Sequence, residues 1–452
     1  MIIKGSRVLV VGAGKTGAAC ADFLNQMGAQ VTLTDIKKDF QIKDVVDKFK
    51  DTSVVIKAGG YPDVDSRSTD LVIVSPGVPL DVPPIKQAFE KGIPVWSELE
   101  LAFRMFNAPV VAVTGTNGKT TTTALIGAMF KDAGRSVVVA GNIGVPLIEK
   151  VSEITPNHVV VVEVSSFQLE CIKTFKPRVG IVLNLTPDHL DRHGTFENYA
   201  RAKEKIFLNQ SDEDFSILNY DDKKVQKMAQ STKGQVIFFS IRHTLEQGAY
   251  LFKNAVHLAL GGSVISVLNR EDIYIKGEHN VQNALAAVLA GAVMGLEIES
   301  MRTTLKTFRG VPHRLEFVDE IGGVKYVNDS KGTNPDASIK ALMAFDEPIV
   351  LIAGGKNKGS DFSEFADVVK KKVRTVVLLG EAADEIFNAL KEKGFEEIYR
   401  ESSFERAVYR ASEAAQPGEV VLLSPACASW DMFNNYEERG NLFKKLVASL
   451  RG

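Results

Sequence analysis

One segment, residues 109–125, constrains this chain more than any other, and it reads PVVAVTGTNGKTTTTAL. An apolar β-branched run gives way to a glycine loop and then to a helix-compatible stretch. In this order, backbone amides close around phosphate oxygens at a helix N-terminus, Lys119 adds a positive charge and the Thr120 hydroxyl can hold Mg²⁺. The usual pattern has glycine five positions before Gly118, where this chain has Val113. We therefore predict a variant phosphate loop that binds a nucleoside triphosphate.

Length and composition limit the classes of protein to consider. A chain of 452 residues usually forms two or three domains. Its net charge of −2 gives no general electrostatic reason to expect nucleic acid or an anionic membrane as partner. The three cysteines are far apart and lack CxxC spacing, so neither a disulfide framework nor a zinc site is indicated. No signal peptide or bilayer-length apolar run is recognisable, and we expect a cytoplasmic protein without membrane insertion.

The N-terminal region carries a second glycine turn. A strand at 7–11 runs into GAGKTG at 12–17, a helix follows, and the next strand ends at Asp35. This spacing is typical of a dinucleotide-binding unit, with the acid placed for a ribose hydroxyl. The motif says little about which ligand is bound, so NAD, another phosphate-bearing ligand and no ligand all stay open.

In the central region, polar residues follow buried strands. Glu163 ends a four-valine strand, where an acid would meet a nucleotide-bound Mg²⁺, so it is the first metal candidate. The next strand is closed by TPDHLDRH at 186–193. In this loop His189 either ligates a metal, hydrogen-bonds a carboxylate, or has a plain capping or packing role. Lys203 lies on a helix that by itself resembles a solvated face. Glycines and β-branched residues from about 232 to 275 predict an antiparallel excursion.

The C-terminal region repeats the architecture without repeating the sequence. Four strands end in polar or glycine-rich loops: NDSKGTNP from 328, GGKNKG from 354, GE at 380 and SPACAS from 424. Carboxyl ends of parallel strands form the ligand crevice of an open α/β sheet, which predicts a second substrate site here.

Taken together, TGTNGKTT, the strand end at Glu163, DHLD from 188, GEHNVQN from 277, PHRLE from 312 and NDSK from 328 resemble the Mur ligases, ATP-dependent enzymes that add amino acids to the peptidoglycan precursor. The resemblance covers essentially the whole chain. It implies an α/β protein of three domains: a Rossmann-like N-terminal domain (1–97), a central P-loop-type ATPase domain (98–310) and a Rossmann-like C-terminal domain (311–452). GAGKTG, NDSKGTNP and SPACASWDMFNNYEERG look like the branch that adds D-glutamate.

The resemblance implies a reaction. ATP phosphorylates the carboxylate of UDP-N-acetylmuramoyl-L-alanine, and the amine of D-glutamate attacks the acyl phosphate. Catalysis then depends on positioning and on neutralising anionic oxygens. The family pattern also implies two Mg²⁺ ions, with Mn²⁺ as a possible substitute, a carbamylated Lys203 and a monomeric protein.

The resemblance also assigns residues. Lys119 acts on the transferring phosphate, Thr120, Glu163, His189 and carbamylated Lys203 hold metal, and Asn142 contacts the sugar-peptide end of the substrate. Either a packing or a binding role is open for Tyr436 and Thr333. The remaining assignments are Gly115, Thr116, Asn117, Gly118, Thr121, Asn283, Arg314 and Asp329 for ATP; Thr16, Asp35, Lys37, Ser75 and His189 for the UDP-substrate; and Lys331, Thr333, Lys358, Ser429 and Tyr436 for D-glutamate.

Three alternatives remain at this point. A nicotinamide-dependent dehydrogenase would use only the N-terminal glycine turn and Asp35. A P-loop regulatory ATPase would explain Lys119, Thr120 and Glu163 but not a third α/β domain. A related amide ligase, such as another Mur ligase or a folylpolyglutamate synthetase, would share the ATP machinery and differ in the outer domains.

Overall fold

Within residues 3–142, 145–357 and 359–451, which the computed structural model describes apart from the Asp191 side chain, the strands form sheets of five, nine and six strands. By its internal contacts the chain divides into two units, Met1–Ile273 with Val281–Lys306 and Tyr274–Asn280 with Thr307–Gly452. Every helix among the described residues is too short or too polar to span a bilayer.

The first sheet has the order β3-β2-β1-β4-β5, and all its strands are parallel. The strand order reverses between β1 and β4, and in such sheets ligands bind at the carboxyl ends beside the reversal. The elements are β1 (Arg7–Val11), α1 (Lys15–Gln26), β2 (Gln30–Asp35), α2 (Lys43–Phe49), β3 (Val55–Ala58), β4 (Leu71–Val74), α3 (Pro83–Glu90) and β5 (Val95–Ser97).

The second sheet has the order β14-β13-β12-β11-β10-β9-β6-β8-β7, and its inner strands are runs of buried β-branched residues. Its elements are α4 (Glu98–Phe103), β6 (Val110–Thr114), α5 (Lys119–Asp132), β7 (Val137–Gly141), α6 (Leu147–Lys150), β8 (Val159–Glu163), α7 (Ser166–Glu170), β9 (Val179–Val182), α8 (Leu190–His193), α9 (Phe196–Glu204), β10 (Phe215–Asn219), α10 (Lys223–Lys227), β11 (Gln235–Ser240), β12 (Gly248–Phe252), β13 (Ala255–Leu260), β14 (Ser263–Asn269), α11 (Glu278–Val293) and α12 (Ile298–Thr307).

The register of the inner strands brings three loops to one edge of this sheet. Val113 of β6 pairs with Glu163 of β8, and Thr114 pairs with Val182 of β9. The loops after these three strands therefore lie side by side.

The prediction of an antiparallel excursion over 232–275 is only partly right. β11 and β12 continue the sheet in parallel, and antiparallel pairing begins at β12–β13. The reversal occurs at Lys253 and Asn254, which both have positive φ angles, as in the turns that favour hairpins.

The third sheet has the order β15-β16-β20-β17-β18-β19, in which β15 is an antiparallel edge and the other strands are parallel. Apolar side chains pack on both faces of its inner strands. The elements are β15 (Glu316–Ile321), β16 (Val324–Asn328), α13 (Pro335–Leu342), β17 (Ile349–Gly354), α14 (Ser363–Lys372), β18 (Val373–Leu379), α15 (Ala383–Glu392), β19 (Ile398–Arg400), α16 (Phe404–Ala414), β20 (Val420–Leu423) and α17 (Tyr436–Ser449).

Candidate active site

The phosphate loop joins β6 to α5, where the sequence places it. Gly118 is the residue that precedes α5, and its φ of 83° is one that residues with side chains rarely adopt. A Cβ atom there would lie 2.4 Å from Asn283 Oδ1, so Asn283 borders the loop. Val113, which replaces the usual glycine, is buried inside β6. The turn in this chain accordingly starts later, at Gly115.

The loop that follows β9 holds the phosphate loop in place. Asn117 donates its backbone N–H to Asn184 Oδ1 at 2.8 Å. Thr116 Oγ1 donates to the Thr186 carbonyl at 3.1 Å and accepts from the Thr186 N–H at 3.0 Å. The buried Tyr199 hydroxyl lies 3.1 Å from the same Thr116 oxygen. These bonds pre-organise the backbone amides that a phosphate would meet.

Lys119 begins α5 and folds back over the loop. Its Nζ donates to the carbonyls of Gly115 and Thr116 at 3.0 and 2.8 Å. Thr120 and Thr121 follow in the first turn of α5 and are buried. The arrangement sets a cation, a helix N-terminus and hydroxyl groups around one loop, a suitable environment for phosphate.

Glu163 has the properties of a cation ligand. It ends β8 and is 2% exposed. Its Oε1 accepts from Asn142 Nδ2 at 3.1 Å, whereas its buried Oε2 has no hydrogen-bond partner among the described residues. A buried carboxylate oxygen without a partner is costly unless a ligand supplies one. Mg²⁺ fits this donor set, because it commonly binds one or two carboxylates together with waters and substrate phosphates.

Lys203 is not on a solvated face, contrary to what its helix suggests in isolation. It is 2% exposed, and its Nζ donates to the Gly115 carbonyl at 2.8 Å and to Thr114 Oγ1 at 3.4 Å. Burial lowers the pKa of the Lys203 amine well below its usual value, and the charge of Lys119 lowers it further. The amine thus lies beside the backbone of the phosphate loop, where burial favours its neutral form more than in an exposed lysine.

His189 is on the neighbouring loop and is half-exposed. It precedes α8 with a positive φ, its Nε2 lies 3.6 Å from Asp188 Oδ2, and its ring meets the edge of Phe167. Within the described residues no hydrogen bond or ion pair links His189 to Glu163 or Lys203. No group of three or more His, Cys, Asp or Glu side chains that could hold a metal occurs in that part of the chain either. A metal here would take most of its ligands from hydroxyls, phosphates and water.

A cleft of about 460 Å³ opens at the carboxyl ends of β1, β2 and β4. Four of the residues assigned to the UDP-substrate line it, namely Thr16, Asp35, Lys37 and Ser75. The lining continues onto the second sheet as far as Asn142. Because Asn142 also donates to Glu163, the far end of the cleft adjoins the candidate metal position.

Two of these lining residues also shape the glycine turn. Asp35 Oδ2 accepts the N–H of Ala13 at 2.7 Å, and Oδ1 accepts the N–H of Lys37 at 2.9 Å. Ser75 Oγ donates to the carbonyl of Gly12 at 2.8 Å. The Asp35 carboxylate therefore holds the backbone of the glycine turn in addition to lining the cleft.

Sequence reasoning missed four polar residues of the cleft, Lys15, Tyr61, Glu98 and Gln168. Glu98 is buried, accepting from the Ile148 N–H and from Gln168, and burial raises its pKa. Lys15 was identifiable, because it stands inside the glycine motif. The other three come from distant segments and have no sequence signal of this kind.

The second unit contains two of the residues assigned to ATP, Arg314 and Asp329. Asp329 is buried, its Oδ2 accepts from Ser424 Oγ at 2.7 Å, and its Oδ1 accepts from the Leu315 N–H at 3.2 Å. Burial raises the pKa of Asp329 to about 6, although the Ser424 bond and the Arg314 charge oppose the shift. Asn283 belongs to the first unit.

Four of the five residues assigned to D-glutamate, namely Lys331, Thr333, Ser429 and Tyr436, follow β16 or β20, which are paired strands. Lys331 Nζ lies 5.6 Å from the centre of the Tyr436 ring, and the Thr333 N–H donates to the Lys331 carbonyl. Ser429 is buried in the loop after β20. Lys358 lies outside the described residues.

Comparisons with known proteins agree with this geometry. Three family models match the chain in order: "Mur ligase MurD-like, N-terminal domain" at residues 6–97, "Mur ligase middle domain" at 113–291 and "Mur ligase, glutamate ligase domain" at 313–427. The chain belongs to the Mur ligase family. The three-domain α/β fold expected from the sequence is thereby confirmed, and the dehydrogenase and the regulatory ATPase are set aside.

Close relatives are named for one activity. Proteins named UDP-N-acetylmuramoylalanine--D-glutamate ligase are 53% identical in Pelotomaculum thermopropionicum (98% of each chain), 49% in Caldanaerobacter subterraneus and 44% in Clostridioides difficile (100% of each chain in both). Among solved structures, the UDP-N-acetylmuramate-alanine ligase of Thermotoga maritima is similar with a TM-score of 0.62 and 21% identity, covering 98% of this chain and all of the other. That likeness concerns the fold alone.

Proposed function

We propose that this protein is an ATP-dependent ligase that joins D-glutamate to UDP-N-acetylmuramoyl-L-alanine, releasing ADP and phosphate, in peptidoglycan precursor synthesis. Relatives with that name are 44–53% identical over nearly the whole chain, which supports D-glutamate over the amino acids of other Mur ligases.

The observation that carries the proposal is that the cleft ends beside the sheet edge from which the phosphate loop starts. The cleft begins at the N-terminal glycine turn and ends at Asn142, whose amide donates to Glu163 beside that loop. A UDP-linked substrate bound by the turn would direct its other end, the L-alanine carboxylate, towards the triphosphate. A nucleotide hydrolase does not need a second substrate cleft that ends beside its phosphate loop.

The chemistry has two displacements. An oxygen of the L-alanine carboxylate attacks the γ-phosphorus of ATP, and ADP leaves. The unprotonated amine of D-glutamate then attacks the acyl carbon, phosphate leaves, and the nitrogen loses one proton to solvent as the amide forms. Lys119 and the amides of residues 115–121 neutralise the anionic oxygens in both displacements. Asn142 orients Glu163 and contacts the end of the substrate. In this scheme the polypeptide contributes positioning and charge rather than a covalent nucleophile.

Thr120, Glu163, His189 and Lys203 are proposed to hold two Mg²⁺ ions, with Mn²⁺ as a substitute. The bound cations would neutralise phosphate charge. For Lys203 the proposal includes carbamylation, in which CO₂ adds to the unprotonated amine with loss of one proton and gives an anion. The lowered pKa of the buried amine supports this step, because only the unprotonated form reacts with CO₂.

The other assignments are proposed on the family pattern. Asn283, Arg314 and Asp329 bind the base and ribose of ATP, and Lys331, Thr333, Lys358, Ser429 and Tyr436 bind D-glutamate. Cations and hydroxyl groups suit a ligand with two carboxylates. The domain limits 1–97, 98–310 and 311–452, a monomeric state and a cytoplasmic location complete the proposal.

The test is phosphate release from ATP in the presence of UDP-N-acetylmuramoyl-L-alanine and one amino acid at a time. We expect release with D-glutamate and none with L-glutamate, L-lysine, meso-diaminopimelate or no amino acid. Release with a different amino acid would agree with a Mur ligase and contradict the assignment of D-glutamate as its substrate. ATP turnover that ignores both substrates would overturn the proposal as a whole.

A further inference from the structure

Arg439 is a buried cation whose position the proposed reaction does not explain. It lies in the first turn of α17, is 1% exposed and has the largest fully buried side chain among the described residues. Burying a guanidinium group is costly unless the surroundings satisfy its charge and its N–H groups.

The guanidinium group joins two loops. Its Nε donates to Ser330 Oγ at 3.0 Å, and its Nη2 donates to the Ser330 carbonyl at 2.8 Å. Nη1 and Nη2 also donate to the Cys427 carbonyl at 3.4 and 3.3 Å. Ser330 immediately precedes Lys331, and Cys427 is two residues before Ser429. Arg439 therefore fixes the backbone on which both of these substrate-assigned side chains are carried.

A third loop closes on the same group. Gly355 follows β17, and a Cβ atom on it would lie 3.3 Å from Arg439 Nη1 and 2.3 Å from the Ala428 carbonyl. Ser330 Oγ in turn donates to the carbonyl of Tyr436 at 2.8 Å. The ends of β16, β20 and β17 thus meet around one side chain.

The positive charge is only partly neutralised. Among the described residues, the guanidinium group of Arg439 donates to the Ser330 hydroxyl and to the Ser330 and Cys427 carbonyls, and to no carboxylate. The carboxylates whose charge acts on Arg439 are those of Asp431 and Asp329. Asp431 accepts a hydrogen bond from the Glu381 N–H, and Asp329 accepts from Ser424 Oγ and from the Leu315 N–H. Burial lowers the pKa of Arg439 to about 10, so it stays protonated at neutral pH. A dianionic amino acid bound at these loops would gain from this charge.

We propose that Arg439 is a positioning residue for the amino-acid substrate: it locks the loops carrying Lys331 and Ser429 into one arrangement and adds a buried positive charge behind them. The inference rests on the proposed function. Lysine is a poor replacement, because a single ammonium does not reproduce the planar fork that reaches both loops.

The test compares Arg439→Lys, Arg439→Ala and Ser330→Ala with wild type by steady-state phosphate release. We expect the KM for D-glutamate to rise about 10- to 100-fold in the arginine variants and less in Ser330→Ala, while the KM values for ATP and UDP-N-acetylmuramoyl-L-alanine stay unchanged. Added guanidinium should lower the raised KM of Arg439→Ala only. The matched control is Arg410→Lys, which changes a half-buried arginine of α16 that pairs with Glu401, and it should leave all three KM values unchanged.

A general structural role predicts a different result. If thermal unfolding shows folded variants whose three KM values rise together, or whose KM for D-glutamate equals that of wild type, the inference is wrong. If Arg439→Ala does not fold, Arg439→Lys and Ser330→Ala decide between these outcomes. Wild-type protein without D-glutamate-dependent turnover would instead overturn the proposed function, and the inference with it.

Discussion

Two glycines of the same N-terminal motif should respond in opposite ways to the same substitution. A Cβ atom at Gly17 would lie 1.8 Å from the Gly12 carbonyl oxygen and 2.6 Å from Ser75 Oγ. A Cβ atom at Gly14 would have no heavy atom within 4 Å, and the φ of Gly14 is −73°, which any residue adopts. Gly14→Ala is therefore sterically free, whereas Gly17→Ala requires β1 and α1 to separate.

The expected magnitudes follow from these contacts. Forcing a methyl group into the space at Gly17 costs about 1–3 kcal/mol. Losing the Ser75–Gly12 hydrogen bond adds about 1 kcal/mol, so Gly17→Ala should lower the free energy of unfolding by about 2–4 kcal/mol. Gly14 lines the cleft, so its new methyl group occupies ligand space. Gly14→Ala should weaken binding of the UDP-substrate about tenfold, or about 1.4 kcal/mol, without loss of stability.

The assay pairs urea unfolding with calorimetric titration of UDP-N-acetylmuramoyl-L-alanine. Gly60→Ala is the matched control, because a Cβ atom there meets open space and Gly60 is outside the cleft lining. It should change neither quantity. A Gly14→Ala protein as unstable as Gly17→Ala, or a Gly17→Ala protein with the wild-type unfolding midpoint, would refute the reasoning.

Three further predictions concern charged residues. Lys119→Ala should abolish turnover and leave the affinity for the UDP-substrate, measured by titration, within about twofold of wild type, because the two sites use different loops. Equal loss of turnover and affinity would contradict this separation of the two sites. Lys203→Ala should be inactive and partly rescued by formate or acetate, and failure of rescue at every concentration would argue against the carbamate. Asp329 has a folded-state pKa raised from 3.8 to about 6, so wild type should lose up to about 3 kcal/mol of unfolding free energy as pH rises through that interval. Asp329→Asn should lack this loss in urea unfolding at several pH values, and identical profiles would show that the carboxyl group does not titrate there.

Much of the fold was predictable because its signals are local. Buried runs of valine and isoleucine ending in glycine or polar residues indicate strands and the loops that follow them. The observed limits of β1 are those predicted, and β20 ends directly before the predicted loop at 424. An antiparallel excursion was predicted, but not that its first reversal falls at Lys253 and Asn254, because neither residue is glycine although both adopt positive φ angles. There the strand pairing imposed a conformation that the local sequence indicates only weakly.

The candidate site was predictable where one motif carries it and not where distant segments combine. Lys119 and Thr120 begin the helix after the glycine loop and Glu163 ends a buried strand, so position along the chain identifies them. The burial of Lys203 beside the Gly115 carbonyl depends on how α9 packs against α7 and α8, which no local pattern expresses. Glu98 and Gln168 enter the cleft for the same kind of reason.

The sequence by itself determined the succession of strands, glycine loops and helices and the family to which the chain belongs, because backbone preference and hydrophobic periodicity act over a few residues. The tertiary structure alone decided which polar groups are buried together. Register places Glu163 beside the phosphate loop, and within the part of the chain that the structure describes one of its oxygens has no hydrogen-bond partner. The packing of α17 buries Arg439 between two loops, and one of its bonding partners, Ser330, lies 109 residues away in the chain. Burial and pairing of charges depend on contacts between remote segments, so they emerge only when the chain is folded.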